Sequence, residues 1–394
     1  MIVGVPQEII PGEKRVALVP ESVKKLIEAN LEVLVQSGAG EKAGYSDRSY
    51  EKAGASIEAD AAALYSRADI VLKVREPAAD SGTGEGEVES FRNDTVLISF
   101  IFPASNPEIV KRLEEKNIRC FAMELMPRIT RAQSMDALSS MSSISGYQAV
   151  LIAAEILPKF FPMLMTAAGT ITPARVLVLG AGVAGLQAIA TAKRLGAVVE
   201  AYDIRPVVKE QVESLGAKFI ELEVETEDAE DSGGYATEQG EETQEKIRKL
   251  LLERIAQSDA VITTALVPGK KAPLLMTREM VEAMSAGALI VDLAAEQGGN
   301  CELTEPGKTV EHNGVKIIGP VDLPSTMAVH ASDMYSRNIS TYLLHLVNDG
   351  KLNLDPEDEL VTGPRVSGKM DPPAEKKPGA DEEPEPETGE PSDG

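Results

Sequence analysis

The 394-residue chain has no tryptophan, two cysteines and three histidines, and aromatic residues make up only 4% of it. Cys120 and Cys301 fit neither a metal-ligand spacing nor a disulfide framework. They read as small buried apolar residues or as reactive thiols, and either reading favours a reducing compartment. No stretch approaches the roughly 20 apolar residues of a membrane-spanning helix. The most apolar segment, 150–165, is interrupted by Glu155, Pro158, Lys159 and Pro162. The opening MIVGVPQEII lacks a basic segment followed by a long apolar run, so no secretory signal is expected. Positive charge is also scarce: 39 Lys and Arg against 63 Asp and Glu leave a net charge of −24. Such a chain is a poor ligand for nucleic acid or an anionic lipid surface, so neither nucleic-acid binding nor direct membrane insertion is expected.

The acidic residues are present in blocks. Residues 221–245 hold eleven of them and no base. From about Pro364 the chain is rich in Pro, Glu, Asp and Gly, and has too little apolar surface to offset its ordering entropy. A disordered acidic tail over 363–394 is therefore expected, either simply solvated or used to dock a partner. The remainder is too long for one core, which points to two domains.

Short apolar runs alternate with amphipathic stretches. Strands are expected at 2–5, 31–35, 70–74, 96–101 and 118–123, with helices at 20–30 and 107–116. A second set begins at Ala174, with strands at 176–179, 198–202, 218–222, 260–264, 289–293 and 315–318 and helices at 186–194 and 207–215. The alternation implies parallel sheets with helices on both faces. Residues 139–157 read as one long connecting helix. A further helix over 329–347 follows the last strand, and no seventh strand of the second set is needed there. Its place in the order suggests that it returns to the first domain.

One turn carries chemistry. The run RVLVL leads into Gly180-Ala-Gly182-Val183-Ala-Gly185, a helix follows, and the next strand ends at Asp203. This is the dinucleotide fingerprint: Gly180 for the tight turn, Gly182 for close approach to a pyrophosphate, Gly185 for helix–strand packing. The helix N-terminus supplies amide donors, and Asp203 suits a ribose 2′-hydroxyl, favouring NAD over NADP. Ile204 and Arg205 follow it. Arg205 is open to three roles: accepting a 2′-phosphate, pairing with Asp203, or lying over the adenine. The expected fold class is α/β, with two Rossmann-like domains whose parallel sheets are separated by a cleft. The first domain is discontinuous (1–138 and 325–362), the second spans 139–324, and the acidic tail follows.

Residues 123–145 mix Arg128, Arg131, Gln133, Asp136 and several hydroxyls with methionines. Polar loops between domains are where sites form. The plainer reading is a connector in which Ser139 caps the following helix. No metal site is indicated.

The motifs MPRITRAQSMDALSS, MTAAGTITPARVLVLGAGVAGLQAIATAKRLGA, GGYATEQGEE and ITTALVPGKKAP resemble the NAD(H)-binding component of proton-translocating NAD(P) transhydrogenase, over about residues 1–348. Alanine dehydrogenase shares that fold, and VGVPQEIIPGEKRVALVP and KVREP resemble it as well. Arg15 and Lys73 match its substrate-binding cations. The place of its histidine reads SFIFPASN, and its aspartate corresponds to Glu296. The three histidines, His312, His330 and His345, all lie in the last third of the chain. Without a proton-transfer group there, amino-acid dehydrogenation is disfavoured and Arg15 and Lys73 become structural ion-pair partners.

The transhydrogenase resemblance implies direct hydride transfer between NADH and NADP⁺, the NADP(H) sitting on a partner subunit. It implies Arg128, Gln133, Asp136 and Ser139 at the dihydronicotinamide, with Asp136 orienting Arg128 and with Ile129, Thr130 and Met135 lining the same surface. Gly234 and Tyr235 belong to a mobile lid, and Leu266 lies on the opposite wall. The resemblance further implies a homodimer, an NADP(H)-binding subunit, a membrane-spanning subunit, and a cytoplasmic position on the inner face of the cell membrane.

Overall fold

A computed structural model describes residues 1–80, 86–221, 241–267 and 271–369, with the side chains of 241–244 excepted. Two seven-stranded sheets organise them. In the first, the order is Arg365–Ser367, Arg119–Ala122, Val96–Ser99, Ile70–Leu72, Ile2–Val5, Glu32–Gln36, Ser56–Glu58. All neighbours are parallel except Arg365–Ser367, which runs antiparallel to Arg119–Ala122. In the second, the order is Lys218–Phe219, Val198–Tyr202, Arg175–Leu179, Ala260–Thr263, Leu289–Asp292, Val315–Ile318, Thr309–His312. The central strands are fully buried, as parallel strands covered on both faces must be.

Two expectations are corrected. The tail is expected from residue 363, yet Arg365–Ser367 is a sheet strand. The Ala122 amide donates to the Pro364 carbonyl at 2.7 Å, and the Ser367 hydroxyl donates to the Ile118 carbonyl at 2.9 Å. The polar composition hides a strand whose stabilisation comes from an existing edge. The second sheet also gains a seventh strand, Thr309–His312, a hairpin partner of Val315–Ile318. Asn313 and Gly314, both at positive φ, form its two-residue turn. Asn-Gly between short runs is the residue pair that such a turn favours.

The connecting helix spans Ala137–Ile156. Its first half (Ala137, Met141, Ile144) packs into the first core, and its second (Ala149, Val150, Ala153) into the second. Between them lies Gly146, where an added Cβ would stand 2.0 Å from the Ala184 carbonyl oxygen. That contact draws the helix Val183–Arg194 against the middle of the connecting helix.

The returning helix, Ala328–His345, packs on the first sheet through Ala331, Tyr335, Ile339, Tyr342 and Leu343, which makes the first domain discontinuous. Polar atoms fix its register. The Val16 and Val19 amides donate to the Ser332 and Ser336 hydroxyls at 3.0 and 2.9 Å, and the Tyr335 hydroxyl donates to the Lys73 carbonyl at 2.8 Å. Among the described residues no helix is long and apolar enough to cross a membrane.

Candidate functional site

The second sheet changes direction of winding at Arg175–Leu179: the chain passes from it to Val198–Tyr202 on one side and to Ala260–Thr263 on the other. The crevice beyond the carboxyl ends of such strands is where α/β sheets bind ligands. The turn at residues 180–185 lies there. Gly180 has φ +99, and a Cβ on it would meet the Thr264 hydroxyl at 2.7 Å; a Cβ on Gly185 would stand 1.9 Å from the Gly180 carbonyl oxygen. Both glycines are therefore demanded by the protein itself. Gly182 is different, since a Cβ there meets no protein atom closer than Arg205 Nη2 at 4.0 Å. The space beside it suits a ligand, and no side chain caps the helix that starts at Val183. Its first-turn amides thus fit a pyrophosphate oxygen.

Asp203, 8% exposed, accepts from the Ala181 amide at 2.7 Å and so fastens the turn to the neighbouring strand. Arg205 forks onto the same carboxylate, Nε to Oδ1 at 2.9 Å and Nη2 to Oδ2 at 2.8 Å. Of the three roles open to Arg205, its geometry takes the pair with Asp203. Ile204 is half-buried between them, and Val183 is exposed at the helix start. Half-buried Leu266 follows the strand Ala260–Thr263, in the turn that packs against Gly180 through Thr264 and Ala265. Gly234 and Tyr235 lie outside the described residues.

Asn300 is a residue that sequence reasoning misses. Fully buried, it accepts from the Ala265 amide at 3.0 Å and donates to the Ala265 and Pro273 carbonyls at 2.8 Å each, holding the turn that carries Leu266. Its only signal is its place directly after the glycine pair of EQGGN.

Residues 130–135 form a short 3-10 helix. Arg128, Thr130 and Gln133 are exposed, whereas Met135, at 6% exposure, belongs to the first core and Ile129 packs against it. Met135 is therefore an anchor rather than part of an outer surface. The Asp136 carboxylate takes the Ser139 amide at 2.8 Å and the Ser139 hydroxyl at 2.5 Å. Asp136, and not Ser139, is thus the helix cap, and both of its carboxylate oxygens are engaged by Ser139.

The cations matching the alanine dehydrogenase substrate site are both engaged. Arg15 is bidentate to Glu13 at 2.6 and 2.8 Å; Lys73, fully buried, reaches Glu87 at 2.9 Å and Glu8 at 3.2 Å. After the strand Val96–Ser99, Phe102 sits in a left-handed conformation, φ 50, stacked on Phe100. Its amide and that of Ile101 donate to Glu124, another residue that the sequence does not signal. Burial pushes the Glu124 carboxyl above its ordinary value, against the pull of those backbone donors. Glu296, raised by burial and by Asp322, stands near Arg75 and Arg15. His312 pairs with Glu282, His345 with Asp358, and His330 is exposed. No cluster able to hold a metal ion occurs among the described residues.

Two family models match: alanine dehydrogenase/PNT, N-terminal domain, over residues 4–145, and alanine dehydrogenase/PNT, C-terminal domain, over 149–367. A chain of Rhodospirillum rubrum named as a portion of NAD(P) transhydrogenase subunit alpha is 50% identical over 371 residues, covering 93% of this chain and 96% of that one. The crystal structure of transhydrogenase from Sinorhizobium meliloti superposes with a TM-score of 0.83 at 46% identity, covering 93% of this chain and 99% of that one. Alanine dehydrogenase of Bacillus subtilis is more distant, at 30% identity over 89% of this chain and 86% of its own. The chain belongs to the alanine dehydrogenase/PNT family, on the side of its NAD(P) transhydrogenase alpha subunits, as a nicotinamide-nucleotide-binding component.

Proposed function

We propose that this chain binds NAD(H) and exchanges a hydride with NADP(H) held on a partner subunit, within a membrane complex that couples the exchange to proton movement. The observation that carries this reading is the segment SFIFPASN after the strand Val96–Ser99, which holds no histidine where the amino-acid chemistry needs one. With no such proton donor in place, the nucleotide itself becomes the substrate. The nicotinamide ring supplies the hydride chemistry when bound, and the protein positions it and excludes water.

Gly182 and the amides that follow would hold the pyrophosphate, with Asp203 at the ribose and Ile204, Arg205 and Leu266 around the nucleotide. Arg128 would hold a carboxamide or phosphate oxygen, and Gln133 would bridge to a ribose of either nucleotide. Asp136 and Ser139 would support them from the helix cap. About 15 Å of helix separates Asp136 from Gly146, at 1.5 Å per residue. A single extended dinucleotide lying on the glycine turn could therefore reach the 128–136 loop.

A homodimer fits the hairpin Leu164–Thr166 and Gly169–Ile171, where Met165 is 78% exposed beside exposed Met163 and Ile171. Exposed apolar side chains gathered on one hairpin suit an association site. The Rhodospirillum rubrum relative is named as a portion of one subunit, which supports further subunits, an NADP(H)-binding one and a membrane-spanning one. They would hold the chain on the inner face of the cell membrane, in the cytoplasm.

The test mixes the purified chain with the NADP(H)-binding component and follows hydride transfer between nucleotide analogues. Oxidation of alanine, or reductive amination of pyruvate, by the chain alone would overturn the proposal.

A further inference from the structure

We infer that Asp358 is a positioning residue for the 128–136 loop, clasping it through Arg131 so that Gln133 faces outward. The inference rests on the reading of that loop as the hydride-transfer site.

A 3-10 helix has three residues per turn, so side chains at i and i+3 eclipse and the turn presents three faces. Here each face has its own fate. Ile129, Ala132 and Met135 face the first core, Ala132 at 1% exposure. Arg131 and Ser134 share the second face. Arg131 Nη2 donates to Asp358 Oδ1 at 2.7 Å and to Glu359 at 3.3 Å, and Asn338, on the returning helix, donates from Nδ2 to the Ser134 carbonyl at 2.9 Å. Thr130 and Gln133 occupy the third face, and both are exposed. The first face is buried and the second is tied down through the Arg131 side chain and the Ser134 backbone, though both residues stay exposed, so Thr130 and Gln133 are the face presented without such ties.

Asp358 is where the holding elements meet. Besides Arg131, it binds His345 Nε2 at 2.6 Å and accepts the Leu360 amide at 3.0 Å, capping the short helix Glu359–Thr362. That helix is tied down from both ends. Tyr342 donates to the Leu360 carbonyl at 3.0 Å, and the next residues enter the first sheet as Arg365–Ser367. The carboxylate itself is 14% exposed and its pairing with Arg131 involves a fixed partner, whereas the Arg131 side chain is 51% exposed. Apolar anchoring alone resists lifting of the turn but resists rotation about its axis poorly. The polar clasp on the adjacent face supplies that resistance, and rotation is the motion that would swing Gln133 away from its partners.

The experiment uses the full chain with the NADP(H)-binding component and compares Arg131→Gln, Asp358→Asn, the double variant and Arg131→Lys. Each single change should slow hydride transfer at saturating nucleotide about tenfold, with NADH affinity unchanged, as a small misplacement of a positioned group does. The double variant should be no slower than the singles, and Arg131→Lys should recover part of the loss. Rates within about twofold of the parent, NADH affinity falling in step with rate, or losses that multiply in the double variant would each overturn the clasp. Should Asp358→Asn fail to fold, the exposed Arg131→Gln decides alone. Gln133→Asn is measured beside them. If it too keeps the parental rate, the hydride-transfer reading fails. If it alone slows transfer, only the clasp fails.

Discussion

Arg205 closes on Asp203 as a fork, Nε on one carboxylate oxygen and Nη2 on the other, two residues away along the chain. The pair places a neutralised carboxylate at the end of the strand Val198–Tyr202 and keeps the guanidinium from offering itself to a 2′-phosphate. Asp203→Ala should weaken NADH binding at least tenfold, since hydrogen bonds to a charged group contribute about 1.5–3 kcal/mol. The same change removes the Asp203 partner of Arg205, so NADPH affinity should rise relative to NADH. Titration of nucleotide fluorescence measures both, and unchanged NADH affinity would refute the ribose contact.

Gln133 is exposed on the loop, and its proposed work is positioning. Gln133→Asn shortens the side chain by one methylene and keeps the amide. Hydride transfer should fall by about tenfold or more while NADH affinity stays near the parental value. Equal losses in rate and affinity would mean that the residue only binds.

Gly182 and Gly185 should behave oppositely. Gly185→Ala forces a Cβ to 1.9 Å from the Gly180 carbonyl, so overpacking should cost roughly 1–3 kcal/mol or more of stability. Gly182→Ala meets no protein atom closer than 4.0 Å. It should fold with the parental melting temperature and still bind NADH more weakly. A stable Gly185→Ala, or a Gly182→Ala with intact affinity, would contradict the assignment.

Lys73 lies fully buried between Glu8 and Glu87. Burial pushes the Glu8 carboxyl up, Lys73 draws it down, and the balance is upward. Lys73→Met strands two carboxylates in the core and should lower stability by about 3–5 kcal/mol, read from urea denaturation. If the lysine instead served a substrate, stability would hold and activity alone would vanish.

Burial alone would raise the Glu13 carboxyl, but the hydrogen bonds and charge of Arg15 hold it below the usual 4.5. A depressed carboxylate contributes stability above its unfolded value and loses it as pH falls toward the folded one. Parent and Glu13→Gln should therefore differ in unfolding free energy near neutral pH and converge below about pH 4.5. Parallel curves down to about pH 3 would show that Glu13 is not coupled to folding in this way.

Much of the architecture was legible because it is local. The runs at 2–5, 198–202 and 315–318 are strands with those bounds, and the glycine turn reads from one stretch of strand, turn and helix. Ser56–Glu58, a third edge strand, was missed as well, and two of the missed strands had other sources. Arg365–Ser367 has no apolar pattern of its own and is held by the edge of an existing sheet, while Thr309–His312 alternates weakly and was betrayed only by Asn313-Gly314. In the returning helix the sequence shows the apolar face, but not that Ser332 and Ser336 would cap the amides of Val16 and Val19.

The sequence by itself determined the nucleotide turn and the α/β alternation, because strand propensity, glycine conformation and helix capping act between near neighbours. Tertiary structure decided which partners the charged groups took. Lys73 settles between Glu8 and Glu87, and Arg131 finds Asp358 across 227 residues of chain. A carboxylate accepts from whichever donor packing brings within about 3 Å, and that choice depends on how the helices and sheets stack rather than on any local pattern.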